Sequence, residues 1–271
     1  MTRGNRRTRR DWDCGGSLQQ DRFRERTGPA WEGMELGAQV VVVGGGAAGL
    51  MAAGQAAAQG AQVMLLERTA RLGTKLRITG KGRCNLTNMA EFDEFLAHFS
   101  FLGSEGESRY FLRNAFARFF AADLVAFFED LGVATVVERG ERVFPASSDA
   151  HQVADALARF AGQQGVEMRM QSRVSELLCR GGRVSGVALH SGERVTAEAV
   201  IIATGGVSYP KTGSSGDGYS LAEELGHTIV PIRPALVPLV VAGPEPRAMM
   251  GLSLRNVQIR LLLDGQEFAQ D

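Results

Sequence analysis

The chain has 271 residues, enough for one large domain or two modest ones, and its 30 Lys and Arg balance its 30 Asp and Glu. A formal charge of zero creates no broad field for nucleic acid or an anionic membrane. Cys14, Cys84 and Cys179 are odd in number and lack CxxC spacing, and the histidines form no HExxH or HxxxH pattern, so neither a disulfide framework nor a metal site is readable.

Residues 1–34 are Arg-rich and polar, without periodicity. They read as a disordered extension, or as translation begun upstream of the usual start, since Met34 directly precedes the folded pattern. A nucleic-acid-binding arm is the alternative; otherwise no nucleic-acid partner is expected. The arginines are not followed by an apolar segment, so no secretory signal is read, and Asn85-Leu86-Thr87 would meet no glycosyltransferase. With no apolar run of about 18 residues, no membrane span is expected either. Together with the cysteine usage, this predicts a cytoplasmic protein.

The folded pattern starts at Val40 to Val43, four consecutive β-branched residues that suit a strand buried on both faces of a parallel sheet. Glycines then turn the chain, Ala47 to Gln59 are mostly good helix formers, and Gly60 stops the helix. "QVMLLE" is the next strand, completing a strand-helix-strand unit. Residues 92–131 place aromatic and aliphatic side chains at helical intervals, with Phe111, Leu112, Ala115, Phe119 and Leu124 as expected core. Another helix is predicted near 150–164. Alternation across short glycine turns then predicts an antiparallel meander over 166–204, which ends in the apolar "AVIIA". "GSSGDGYSLAEELGH" is a glycine loop entering a helix. Pro231, Pro234 and Pro238 mark a crossing, and "LSLRNVQIRLLLDGQ" opens a new β-element. The expected organisation is one large domain over 35–235 and the start of an incomplete β-rich inserted domain over 236–271.

Gly44, Gly46 and Gly49 fit G-x-G-x-x-G. The loop follows a strand, opens a helix, and has Glu67 at the tip of the next strand. Gly44 would make the tight turn, Gly46 would admit a pyrophosphate to the backbone, and Gly49 would let helix and strand pack closely. The helix terminus at Ala47 and Ala48 would present free N–H groups and partial positive charge. Glu67 would accept hydrogen bonds from a ribose diol and repel a 2′-phosphate, favouring FAD or NAD over NADP. NAD dehydrogenases usually continue with further strand-helix repeats, which this chain lacks.

From here the chain resembles the two-dinucleotide-binding-domain flavoproteins. "VVVGGGAAGLMAA", "GTKLRITGKGRCNLTN", "RVFPASSDAHQVADAL" and "ATGGVSYPKTGSSGDGYSLAEELGHTIVPIRPALVPL" occur in order. Together they are similar to the bacterial aminoacetone-oxidase-like FAD-binding family, also called BaiN/RdsA or YhiN-like, over about residues 36–263. The resemblance implies an α/β, Rossmann-like FAD-binding domain with an antiparallel meander and a second β-rich domain. It places Arg68, Lys75, Gly82, Arg83, Cys84 and Asn85 along the cofactor, with Lys75 reaching a phosphate or flavin oxygen. It has backbone near Arg173-Val174 reading the adenine edge, and Ala203-Thr204-Gly205 returning to the cofactor. Asp217 would either cap the next helix or touch the flavin side. Family members also contact FAD through a segment near the C-terminus. This chain ends before it, so a C-terminally truncated member is expected.

Other labels fail on spacing. Gly80-Lys81 lacks both defining positions of a phosphate-binding P-loop. Cys84 has no second thiol nearby for disulfide exchange, and reads as buried or merely adjacent. No G-x-S-x-G elbow exists. Tyr209 and His227 receive no firm role, and no catalytic acid or base can be placed. The expected function is an FAD-dependent oxidoreductase that passes hydride between flavin N5 and a small organic substrate, with oxygen or NAD(P)H as second electron partner. The alternatives are a non-catalytic nucleotide-binding fragment and an NAD-linked dehydrogenase.

Overall fold

In a computed structural model of the chain, the described residues are 38–99, 107–234, 240, 242–252, 258 and 260–270. The Arg-rich residues 1–34 lie outside them. The chain divides into two units at Ile229/Val230, a little before the 235/236 boundary expected from the prolines.

In the first unit, strand β1 (Ala38–Val43), helix α1 (Ala47–Ala58) and strand β2 (Val63–Leu66) form the expected strand-helix-strand unit. Helix α2 (Thr74–Ile78) follows, then β3 (Thr87–Asn88), α3 (Phe92–Ala97), α4 (Glu107–Phe116), α5 (Ala121–Asp130), β4 (Thr135–Glu138) and β5 (Arg142–Pro145). Next come α6 (Ala150–Gln163), β6 (Glu167–Arg169), β7 (Val174–Arg180), β8 (Arg183–Leu189), β9 (Arg194–Ile202) and α7 (Asp217–Glu224). The main sheet has the order β6-β2-β1-β9-β8-β7. Strands β6, β2, β1 and β9 run parallel, whereas β9, β8 and β7 are antiparallel. Strand β9 serves both halves. Its residues Arg194–Thr196 pair with β8, and Ala197–Ile202 pair with β1.

The meander therefore starts at Val174, not at residue 166. Glu167–Arg169 instead pair parallel with β2 as the sheet's edge. A short alternating run does not reveal strand direction. Here the return through α6 lays β6 parallel to β2, and the turn through Gln171, at φ +54°, then leads the chain on to β7.

The sheet packs on both faces, which explains the unbroken apolar run in β1. Val42 and Leu65 face one core with Leu50 and Ala53 of α1 and Val153 and Leu157 of α6. Val41, Val43, Met64 and Leu66 face the other, with Val187, Leu189 and Leu221. Helices α1 and α6 approach so closely that a Cβ on Gly54 would lie 2.3 Å from the Phe160 ring. Truncating a buried side chain such as Leu50 to alanine should cost about 2–5 kcal/mol. Helix α6 starts where Asp149 accepts the His151 N–H at 2.8 Å.

The helical stretch 92–131 is three helices, with residues 100–106 outside the described set. Its packing face differs from the expected one. Phe111 is 80% exposed, Ala115 and Phe119 are also exposed, and Leu112 and Leu124 are half-buried. Phe116 and Phe120 instead stack edge-on with Phe95 at 5.3 and 5.1 Å, and Phe128 is buried. "YFLRNAFARFF" carries aromatics on several faces, so periodicity cannot choose among them. A second antiparallel sheet, β3-β5-β4, was not foreseen because its strands are two to four residues long.

The second unit contains α8 (Glu245–Ala248) and the antiparallel hairpin β10 (Arg260–Leu263) and β11 (Gln266–Gln270). Asp264 and Gly265 link the strands, both at positive φ, as a tight two-residue turn requires. Among the described residues no helix is long and apolar enough to cross a membrane.

Candidate functional site

A cleft of about 410 Å³ opens beyond the C-terminal ends of β1, β2 and β9, where open α/β sheets place their ligands. Its wall includes Gly44, Gly46, Ala47, Ala48, Glu67, Arg68, Lys75, Asn85, Val174, Ala203, Thr204, Gly205 and Asp217, all expected from the sequence.

The three glycines of the loop do different things. Gly44 has φ +110°, and a Cβ there would lie 2.5 Å from the Ala203 carbonyl oxygen, so the loop sits directly against the end of β9. A Cβ on Gly49 would lie 1.8 Å from the Gly44 carbonyl oxygen, so Gly49 lines no cleft and serves the packing of α1 on its own loop. Gly46 has no atom within 4 Å of where a Cβ would stand. It is also the N-cap of α1, and no side chain caps the helix. The loop thus turns an open side and an uncapped helix terminus to the cleft, which suits a diphosphate.

Glu67, at the tip of β2, is only 9% exposed. Its Oε2 accepts the Gly45 N–H at 2.6 Å and its Oε1 accepts the Thr69 N–H at 2.7 Å. Each oxygen keeps acceptor capacity for a further donor, such as a ribose hydroxyl. The Glu67 backbone oxygen accepts the Ser172 N–H at 2.8 Å, which brings the start of β7 beside it.

Asp217 does not cap α7. Gly216 is the N-cap, at φ +84°, and Asp217 is the first helical residue. Its carboxylate accepts from Arg68 and Arg173, each at 3.1 Å, and from the Ser215 hydroxyl at 2.5 Å, and Arg68 also donates to Ser215. Burial works against ionisation of Asp217. The bonds from Ser215 and Arg173, with the charges of Arg173 and Arg68, outweigh it and hold the carboxyl below its usual range. Lys75, by contrast, has no carboxylate partner among the described residues and faces the cleft.

Gly82, Arg83 and Cys84 do not reach the cleft wall. The chain reverses through a 3-10 turn at Thr79–Gly82, where Gly80 and Lys81 are left-handed, and Cys84 follows at φ +61°. This reversal turns Cys84 inward, 1% exposed, and burial pushes its thiol up to about 11. Arg83 turns the other way, pairing with Glu138 and lying 4.2 Å over the Phe144 ring. Neighbours in a motif thus end in different surroundings, one in the core and one on a partly exposed ion pair. The wall also holds residues not singled out from the sequence, among them Thr79, Ser172, Thr212 and Ser214. Ser214, 6% exposed, lies inside the "TGSSGDG" block, which was the available signal. Among the described residues no group of three or more His, Cys, Asp or Glu could hold a metal ion.

The chain is 36% identical over 236 residues to the 3-dehydro-bile acid delta(4,6)-reductase of Clostridium scindens, covering 86% of this chain and 54% of that protein. It is 30% identical over 221 residues to the ribosomal RNA dihydrouridine synthase of Escherichia coli, covering 80% of this chain and 52% of that protein. The chain thus spans about half the length of these relatives. Among solved structures, 3-ketosteroid-delta4-(5alpha)-dehydrogenase from Rhodococcus jostii RHA1 shares the fold, with a TM-score of 0.51 and 20% identity over 72% of this chain and 55% of that one. Residues 38–265 match the family described as HI0933-like protein Rossmann domain, and the chain belongs to that family, the YhiN-like group its motifs resemble.

Proposed function

We propose that the cleft binds FAD and that the chain is the cofactor-binding part of an FAD-dependent oxidoreductase. The observation that carries this is the open side of Gly46 at an uncapped helix terminus, with the Glu67 carboxylate fixed at the neighbouring strand tip. In this reading the α1 terminus at Gly46, Ala47 and Ala48 holds the diphosphate, with Lys75 adding a positive charge. Glu67 accepts from the adenosine ribose. Ser172–Val174 border the adenine, and Ala203–Gly205 and Asn85 lie along the remainder. The bound flavin supplies hydride transfer at N5. The surrounding backbone orients it, and the apolar wall at Val43, Leu66, Leu76 and Leu221 excludes water.

The names of the two sequence relatives, a delta(4,6)-reductase and a dihydrouridine synthase, both denote reduction of a carbon–carbon double bond. We infer a substrate of that class here, a small molecule with an alkene conjugated to a carbonyl, with NAD(P)H or oxygen as second electron partner in a cytoplasmic setting. Residues 35–235 are the proposed FAD-binding domain, and 236–271 belong to a second, β-rich one.

The test is to incubate the purified protein with FAD, remove free flavin by gel filtration and record the visible spectrum. A yellow protein that bleaches anaerobically with NADH, and recovers its colour on adding a conjugated enone or oxygen, is expected. Colourless protein would overturn FAD binding, and yellow protein inert to every donor would overturn the redox role.

A further inference from the structure

Arg68 and Arg173 line the cleft together with Glu67. Arg68 directly follows Glu67, and Arg173 follows Ser172, whose N–H is bonded to the Glu67 carbonyl. A pair of arginines at the ribose end of a nucleotide cleft is what a 2′-phosphate needs, because the planar guanidinium pairs with phosphate through two parallel bonds. Glu67 alone would not prevent this, since two cations beside it would outweigh its single charge. Both arginines are, however, engaged by one carboxylate, Asp217 Oδ2, at 3.1 Å each. Ser215 braces the arrangement by donating to Asp217 Oδ1 at 2.5 Å while accepting from Arg68. The charges of Glu67, Asp217, Arg68 and Arg173 cancel, so the ribose end of the cleft carries no surplus positive charge.

We propose that Asp217 determines cofactor specificity: by holding Arg68 and Arg173 it withholds both guanidinium groups from a 2′-phosphate, so that the cleft selects adenine dinucleotides with a free 2′-hydroxyl. This rests on the reading that the adenosine ribose sits at Glu67. Asp217 acts through the arginines and is a positioning residue. Its removal therefore changes which nucleotide is preferred, whereas a purely structural residue would weaken both nucleotides together.

The test measures binding of ADP-ribose and 2′-phospho-ADP-ribose to flavin-free protein by calorimetry. The wild type should bind ADP-ribose tighter by about tenfold or more. In Asp217→Asn that preference should collapse towards unity, and in the triple variant D217N/R68A/R173A it should return. A preference unchanged within about twofold in D217N, or a collapse that persists in the triple variant, overturns the proposal. Arg173→Gln gives an independent arm should D217N not fold. There Asp217 still holds Arg68 and one cation is gone, so the preference for ADP-ribose must stay or rise, and a fall overturns the proposal. A wild type that binds neither probe nor FAD would instead sink the ribose-site reading beneath it, an outcome distinct from binding without a change of preference.

Discussion

Glu67 Oε2 accepts the backbone N–H of Gly45 at 2.6 Å, which ties the tip of β2 to the glycine loop that opens α1. The residue proposed to meet a ribose is therefore also a strut of the loop proposed to meet the diphosphate. Replacing Glu67 with alanine removes an acceptor from a ligand hydroxyl and leaves the Gly45 and Thr69 N–H groups without their partner. The expected loss of FAD affinity is about 1.5–3 kcal/mol, with a lower melting temperature of the ligand-free protein. Titration followed by flavin fluorescence, beside a thermal melt, checks both. Unchanged affinity would remove Glu67 from the ribose.

Gly46 and Gly49 should separate binding from folding. Gly46 has φ −82° and open space on its side, so Gly46→Ala should leave the melting temperature of the ligand-free protein unchanged while FAD uptake falls. Gly49→Ala drives a methyl group into the Gly44 carbonyl and should cost stability, about 2 kcal/mol or more. If both variants lose stability alike, the space beside Gly46 is not the ligand's.

Cys84 should be inert and Cys179 reactive. With its thiol at about 11, Cys84 is ionised at pH 8 to only about one part in a thousand, and it is buried as well. Brief alkylation of the native protein, mapped by mass spectrometry, should label the exposed Cys179 and spare Cys84 until denaturant is added. The raised value also has a consequence for stability. The unfolded thiol ionises from its ordinary 9.0, the folded one not until about 11, so the folded state is favoured below pH 9 and loses that advantage as pH rises towards 11. Cys84→Ala should flatten this part of the stability–pH curve.

Arg83 should matter to the fold and not to the cofactor. It pairs with Glu138 and covers Phe144 away from the cleft, so Arg83→Ala should lower stability by about 1 kcal/mol and leave FAD affinity within about twofold of the wild type. A large loss of affinity with little loss of stability would return Arg83 to the cofactor.

The amino-acid sequence by itself determined the strand-helix-strand unit, the glycine loop and the position of Glu67. Those depend on local rules: four β-branched residues make a buried strand, and a glycine without Cβ can turn or admit a ligand. It also determined that a return strand would end beside the loop at Ala203–Gly205, through motif resemblance. Only the tertiary structure decided which faces were used. Phe116, at the end of α4, and Phe120, in the link that follows, pack on Phe95, whereas Phe111 and Ala115 stay exposed and Phe119 turns to Phe127, because aromatics on several sides of one stretch leave the choice to the neighbours. Four residues at positive φ, Gly80, Lys81, Gly82 and Cys84, send Cys84 into the core and let Arg83 reach Glu138, a reversal that composition does not encode. The engagement of Arg68 and Arg173 by Asp217 joins residues up to 149 positions apart, and charges so distant in sequence become partners only when the sheet brings the ends of β2, β7 and α7 together.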